Sequence, residues 1–388
     1  MLIQLIEGVY RLLWGDLLTL HLGSVTLTLS FMVILLLTAG VFFTLRTRLL
    51  PVRLFRDMLA AVCEKNDKGK GLSSFQTLVV STATRVGMGN LVGVVAAVSV
   101  GGAGAVFWMW VTALLGASTS FVESALAQKY KQPDPLYGGW RGGPAYYISQ
   151  GLGSKTLAAF FSVAIIIALG FVGNMVQANS IAGAFYTAFN VPTWVTGIFT
   201  FIIAGFIFIG GIRRIASFAE KMVPIMALIY VIGSLTIIFT NLEGVMHALE
   251  MIFVGAFDPM AATGGVIGAG IKEAIRYGVA RGLFSNEAGM GSTPHAHAVA
   301  RVKHPAEQGL AAIIGLFIDT FIVVNMTAFV ILCTGSLDGT TTGIALTQKA
   351  FTLGLGTIGN GFVAVCLLFF AFTTIVGWYF FCLLYTSD

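Results

Sequence analysis

Long charge-free runs alternate with short basic clusters along this chain, and that alternation predicts most of its elements. Residues 24–45 carry no charge and reach the roughly 20 apolar residues that one membrane span needs. Residues 86–122 are also uncharged but too long for one span. Gly101-Gly102-Ala103-Gly104 divides them into an outgoing helix over 73–100 and a returning one over 105–127. Trp108 and Trp110 stand near the outer end of the second, as interfacial aromatics do. Residues 156–212 predict two helices turning at Asn190-Val191-Pro192-Thr193. Further helices are expected over 222–242, 308–334 and from Gly359, the last preceded by a short helix over 341–355.

The basic residues orient these spans. Arg46, Arg48, Arg53, Arg56, Lys65, Lys68 and Lys70 fall in one loop, and Lys129, Lys131, Arg141 and Lys155 in a second. Arg213, Arg214 and Lys221 mark a third, Arg301 and Lys303 a fourth. These loops hold 16 of the 22 lysines and arginines, so they are assigned to the cytoplasm. The N-terminus then lies outside, and Glu243, Glu250 and Asp258 fall in an outer loop. The piece after Tyr137-Gly138-Gly139-Trp140-Arg141-Gly142-Gly143-Pro144 is amphipathic and lies along the inner surface.

Two segments break the pattern. Ser81 to Gly93 lies at membrane depth yet holds Arg85, Asn90 and the glycines 87, 89 and 93. Each glycine weakens a helix by about 1 kcal/mol relative to alanine, and a bilayer tolerates broken backbone only where it is buried in protein or lines a wet cavity. The stretch is therefore either an interrupted helix whose backbone holds a ligand, or a close helix contact through small residues. Residues 264–300, with Lys272, Glu273, Arg276, Arg281 and Glu287, read as a second broken helix. Gly87-Met88-Gly89 recurs there as Gly289-Met290-Gly291. Five helices separate the two breaks, and an odd number reverses orientation. The domains expected are an N-terminal helix and cytoplasmic loop over 1–72, a first repeat over 73–242, and an inverted second repeat over 243–388. Paired interrupted helices in such repeats point to a midplane binding site.

Composition agrees. The chain has 388 residues, 57% hydrophobic and 10% charged, against about 25% charged in soluble domains. Residues 1–20 contain Glu7, Arg11 and Asp16 and lack a clear signal-peptide cleavage site. The cysteines 63, 333, 366 and 382 are scattered, with no disulfide or metal spacing. His295 and His297 do not share a helix face, which argues against a metal site. The net charge of +5 follows from topology and is no nucleic-acid signal. No Gly-x-Ser-x-Gly, paired catalytic aspartate or His-Glu-x-x-His motif occurs, so an enzyme is not expected. A channel would need a continuous polar stripe, whereas polarity here concentrates at the two breaks.

Four motifs carry a family resemblance: 87–94 (GMGNLVGV), 101–110 (GGAGAVFWMW), 142–147 (GGPAYY) and 282–292 (GLFSNEAGMGS). Together they resemble the alanine or glycine:cation symporters, across essentially the whole chain. The resemblance implies an all-α polytopic membrane protein with a leucine-transporter-like inverted-repeat core, and sodium-coupled symport of a small neutral amino acid such as alanine or glycine at the cell membrane. No cofactor is implied beyond sodium as coupling ion, and the partners are the amino acid, sodium and the lipid bilayer. Members continue past the helix containing Trp378 with further spans, so a C-terminally truncated second repeat is expected.

The same resemblance implies a site. The backbone of Met88 and Gly89, with Thr84 and Asn90 alongside, would take the substrate carboxylate on a helix N-terminus. Carbonyls near Phe284, Ser285 and Asn286 would take the ammonium. Asn174 and Asn179 read as helix glue or ligand groups, and the resemblance selects Gln177 as a ligand. Phe284 and Trp378 would close the pocket, although Trp378 reads equally as packing. Sodium wants oxygen ligands, and the resemblance assigns it Ala83, Val86, Ala371, Thr373 and Thr374. Hydroxyls in membrane helices also bond their own backbone. Arg85, Glu123, Glu287 and Asp319 are ionisable at membrane depth and candidates by default, with an Arg85–Glu287 ion pair as the plain reading. The alternative coupling ion is a proton, carried by Glu287 or Asp319.

Overall fold

The computed structural model describes residues 2–22, 25–63, 71–134, 139–257 and 270–386. Lys65, Lys68, Lys70, Tyr137, Gly138, Asp258 and positions 264–269 of the second mixed segment lie outside the described residues.

The chain is mostly helical. Gly104–Lys129, Lys155–Phe189, Gly211–Thr240, Pro305–Cys333 and Gly343–Tyr385 are long and apolar enough to cross a bilayer. Ser74–Arg85 and Gly89–Gly101 form one further span bent by 51°, and Phe31–Arg46 and Thr193–Phe208 are shorter apolar helices. Gly356, at φ 68°, divides the Gly343–Tyr385 run, and the last helix is Gly359–Thr386. Phe160, Phe201 and Ile209 are 71%, 77% and 84% exposed. Apolar faces of that kind mark a surface made for lipid, so the protein is an all-α polytopic membrane protein.

Local chemistry sets the ends. Ser73 and Gln76 cap Ser74–Arg85 reciprocally, each side chain meeting the other's backbone N–H at 3.1 Å, which satisfies two orphan donors. His304 and Glu307 do the same for Pro305–Phe317. Asn190 takes a left-handed conformation, φ 53°, and ends Lys155–Phe189 where the turn was expected.

Three expectations are corrected. The span over 24–45 starts only at Phe31, N-capped by Ser30. Leu18–Leu22 and Val25–Leu29 instead pair as an antiparallel hairpin. Glu243 and Glu250 lie on a helix, Leu242–Phe257, rather than in a loop. Arg213, Arg214 and Lys221 belong to the helix Gly211–Thr240, whose long apolar stems can snorkel toward water.

The main core surrounds the last helix. Val363, Leu367, Phe370 and Phe381 pack with Val80, Ala83 and Leu91 of the first broken helix and with Tyr230. Lipid gives helices little hydrophobic reason to associate, so close packing and buried hydrogen bonds carry the assembly. The hydroxyls of Tyr230 and Thr327, 2.6 Å apart in the interior, are one such bond.

Candidate functional site

Two helix breaks meet at the centre of the molecule. In the first, the ladder ends at Arg85, and Gly87 N–H turns to the Arg85 carbonyl (2.9 Å) and to Asn90 Oδ1 (3.0 Å). A π-helical segment, Gly89–Gly93, then leads into Val94–Gly101. In the second, Ile271–Asn286 ends at Glu287, which adopts φ 56°. That is costly for a residue with a β-carbon. Gly289 and Gly291 follow at φ 84° and 75°, angles that glycine adopts without strain. The chain resumes as Thr293–Ala298. Both Gly-Met-Gly triplets therefore lie inside the breaks. The breaks face each other: a β-carbon on Gly89 would stand 3.4 Å from the Phe284 ring and 3.8 Å from Ser285 Cα.

The proposed carboxylate cradle contains Met88, Gly89 and Gln177 together. Gln177 Oε1 accepts the Met88 N–H at 3.1 Å. Gln177, Phe284 and Trp378 also line one cavity of about 570 Å³. Met290 lines it too and was not singled out in the sequence, although it is the counterpart of Met88 in the repeated triplet. Asn90 is fully buried, its amide donating to Asp319 Oδ1 at 2.7 Å. Ser285 donates to Asp319 Oδ2 at 3.0 Å and Thr320 at 3.3 Å. Asp319 thus ties the two breaks to the helix Pro305–Cys333. Asn286 Oδ1 accepts the Ala288 N–H at 3.0 Å, and its Nδ2 is buried without a partner.

The oxygen set divides. Because Gly87 N–H has left the ladder, the Ala83 carbonyl is met instead by the Thr374 hydroxyl at 3.0 Å. That hydroxyl has one hydrogen and a second acceptor, Phe370 O at 2.9 Å. Turned to Phe370, it leaves its lone pairs and Ala83 O facing one point, which suits a hard cation. Gly87 sits directly against Thr374, where a β-carbon would collide with Oγ1. Val86 and Ala371 are fully buried nearby in sequence. Thr373 turns away, its hydroxyl meeting Phe369 O (2.9 Å), Phe370 O (3.0 Å) and Met226 Sδ (3.5 Å). It is not brought to Ala83.

The buried charges are arranged differently from a simple pair. Arg85 donates to Ala312 O (3.1 Å), Ser120 Oγ (3.3 Å) and Thr293 Oγ1 (3.0 Å). Thr293 in turn donates to Glu287 Oε2 at 3.2 Å, so a hydroxyl joins the two ions. Glu287 also receives Ser292 (2.8 Å), Thr84 (3.3 Å) and, on Oε1, the Trp378 indole N–H (3.3 Å). Glu123 accepts the Gly289 N–H at 3.1 Å. Asn174 donates to its own helix at Gly170 O, 3.2 Å. Among the described residues no group of three or more histidine, cysteine or acidic side chains could hold a metal ion.

A second cavity lies elsewhere. It has about 700 Å³ and is bordered by Leu72, Gln76, Trp140, Arg213 and Arg301, at the ends assigned to the cytoplasm by charge.

Comparison with known proteins follows the same lines. The profile of the sodium:alanine symporter family matches residues 17–385. A putative sodium/proton-dependent alanine carrier protein, YrbD of Bacillus subtilis, is 44% identical over 89% of this chain and 73% of its own length. The probable sodium/glutamine symporter GlnT of the same organism is 40% identical over 90% and 73%. The sodium/alanine symporter AgcS of Methanococcus maripaludis is 36% identical over 97% and 81%.

Proposed function

The chain belongs to the sodium:alanine symporter family, a family of transporters and not of enzymes, and from that premise we propose that it couples sodium entry to the uptake of a small neutral amino acid, alanine or glycine. The observation that carries this reading is the meeting of the two breaks beside the Ala83–Thr374 oxygen pair. The first break offers the N–H end of a half-helix, whose dipole favours a carboxylate. The second offers the last carbonyls of Ile271–Asn286, unpaired by helix geometry, to an ammonium. A zwitterion spans the two through these backbone groups. Thr84, Met88, Gly89, Asn90, Gln177, Phe284, Ser285, Asn286 and Trp378 are assigned to the amino acid. Ala83, Val86, Ala371 and Thr374 are assigned to sodium, and Thr373 joins them only by turning its hydroxyl from Phe370.

Size selectivity follows from Phe284 and Trp378, which face the cavity beside Gln177. The relatives' names divide between alanine and glutamine, and this reading assigns that choice to the room left by these rings. The breaks at Gly87-Met88-Gly89 and Gly289-Met290-Gly291 support reading residues 73–242 and 243–388 as inverted repeats, with the N-terminus outside a multi-pass cell-membrane protein. The cytoplasmic cavity at Arg213 and Arg301 then serves as the release vestibule.

The test is uptake of radiolabelled L-alanine into liposomes containing this chain. An inward sodium gradient should drive accumulation, and replacing sodium by choline should stop it. Accumulation driven by a proton gradient without sodium would overturn the sodium reading in favour of Glu287 or Asp319 as proton carrier.

A further inference from the structure

Glu287 touches every element that the transport reading requires to move together, and the rest of the site does not use it. Its carboxylate is 1% exposed. Oε2 receives Thr84 of the first broken helix and Ser292 and Thr293 of the second. Oε1 receives the Trp378 indole of the last helix. Thr84 follows Ala83, whose carbonyl meets Thr374. Thr374 and Trp378 are four residues apart, hence on one face of the last helix. Gly377 lies between them, and a β-carbon there would strike the Thr84 methyl. The Thr84 hydroxyl is itself divided: its single hydrogen has Ser81 O at 2.9 Å and Glu287 Oε2 at 3.3 Å in reach.

We propose that Glu287 is a positioning residue that links the sodium site to the substrate pocket, by holding Trp378 in register with the Ala83–Thr84 turn. The inference rests on the symport reading above. An ion held by Ala83 and Thr374 fixes the first broken helix against the last one. One turn further along, Glu287 spans the same two helices through Thr84 and Trp378. With the helices fixed, Thr84 bonds Glu287 and the indole wall is set for substrate. With them apart, Thr84 returns to Ser81, and the carboxylate loses its hydrogen bond from the first broken helix. Coupling of this kind needs an element with two arrangements, and the Thr84 hydroxyl provides it. Glutamine cannot replace the carboxylate, because it presents an acceptor to one side only and its NH₂ opposes either the indole N–H or the hydroxyls.

The test is equilibrium binding of radiolabelled L-alanine to the purified chain, in sodium chloride and in choline chloride. Wild-type affinity should rise on sodium saturation by a factor within the about 5- to 150-fold range of site–site couplings. Glu287→Gln should bring that ratio to within about twofold of unity, and by linkage should remove the matching effect of alanine on sodium affinity. Trp378→Phe removes the indole N–H and keeps an aromatic wall, so it should lose most of the ratio as well. A merely structural glutamate would lower thermal stability equally in both salts and leave the ratio unchanged. Retention of the wild-type ratio in Glu287→Gln overturns the inference. If that variant does not fold, retention in Trp378→Phe overturns it. Absence of any sodium effect in the wild type would instead defeat the symport reading itself, and the inference with it.

Discussion

The two breaks interrupt their helices by different means. The first is opened by glycine: Gly87 comes against Thr374 and Gln177 so closely that no side chain fits. The second is held open by carboxylates. Glu287 sits in a strained backbone conformation inside a ring of hydroxyls, and Glu123 takes the Gly289 N–H. A break made by glycine brings neighbouring side chains, here Thr374 and Gln177, up to its backbone. A break made by bonded side chains spends its polar groups on the protein and behaves as a joint. Both breaks lend groups to the proposed substrate site, and the second, held by bonded side chains, is read as the joint.

The sharpest way to break this comparison is to fill the first break. Gly87→Val should abolish sodium-dependent alanine binding, because the branch meets Thr374 and the Gln177 amide together. Gly89→Ala meets the Phe284 ring and Ser285 Cα at ordinary contact distance and should cost less than about threefold, below the 1–3 kcal/mol of overpacking a tight site. Equal losses in the two variants, measured by alanine binding, would show that the approach at Gly87 is not what matters.

A second, smaller effect separates neighbouring hydroxyls. Thr374→Val keeps shape and removes the oxygen facing Ala83. It should raise the sodium concentration for half-maximal uptake about five- to a hundredfold, the 1–3 kcal/mol of a lost buried polar partner. Thr373→Val, whose hydroxyl serves Phe369 and Phe370, should move it much less. The reverse order would transfer the ion to Thr373.

How much of this the sequence carries depends on distance along the chain. Gly87-Met88-Gly89-Asn90 announces the first break locally, and its echo at 289–291 announces the second. Val25-Thr26-Leu27-Thr28-Leu29 alternates with the period of a strand, yet inside a charge-free run it read as the start of a span. Arg85 and Glu287 were legible as buried charges, but Thr293 between them was not, because it enters only when the inner half-helix is positioned. Asp319 likewise stood out as an acid at membrane depth. Its partners Asn90 and Ser285 lie 229 and 34 residues away, and only packing brings them to it.

The smallest predicted effect lies at the inner end. Lys131 donates to Ala300 O at 2.9 Å and Gln128 Oε1 at 2.7 Å, and Leu72 N–H bonds Val299 O at 3.1 Å, so the inner end of the second broken helix is held to its neighbours. Burial lowers the Lys131 pKa to about 8. Between that value and the ordinary 10.5 the unfolded chain binds more protons than the folded one, so this term makes stability rise with pH across that window. Lys131 is partly exposed, and after solvent screening the effect is under about 1 kcal/mol. The melting temperature of wild type relative to Lys131→Met should therefore increase slightly from pH 8 to 10. A difference that falls over that range would contradict the assignment.

The tether at the opposite end has a practical consequence. Asp16 pairs with Lys272 at 3.2 Å and Arg276 at 3.6 Å, and Arg276 donates to Trp14 O at 2.7 Å. These contacts fasten the end of Leu2–Trp14 to the first turns of Ile271–Asn286, the first half of the broken helix read here as the joint. The N-terminal helix therefore rides on that half. Trp14 is a built-in fluorophore on the tether, and a dye on the exposed face of Leu2–Trp14 would follow Ile271–Asn286 through the proposed transport cycle without any label entering the binding site.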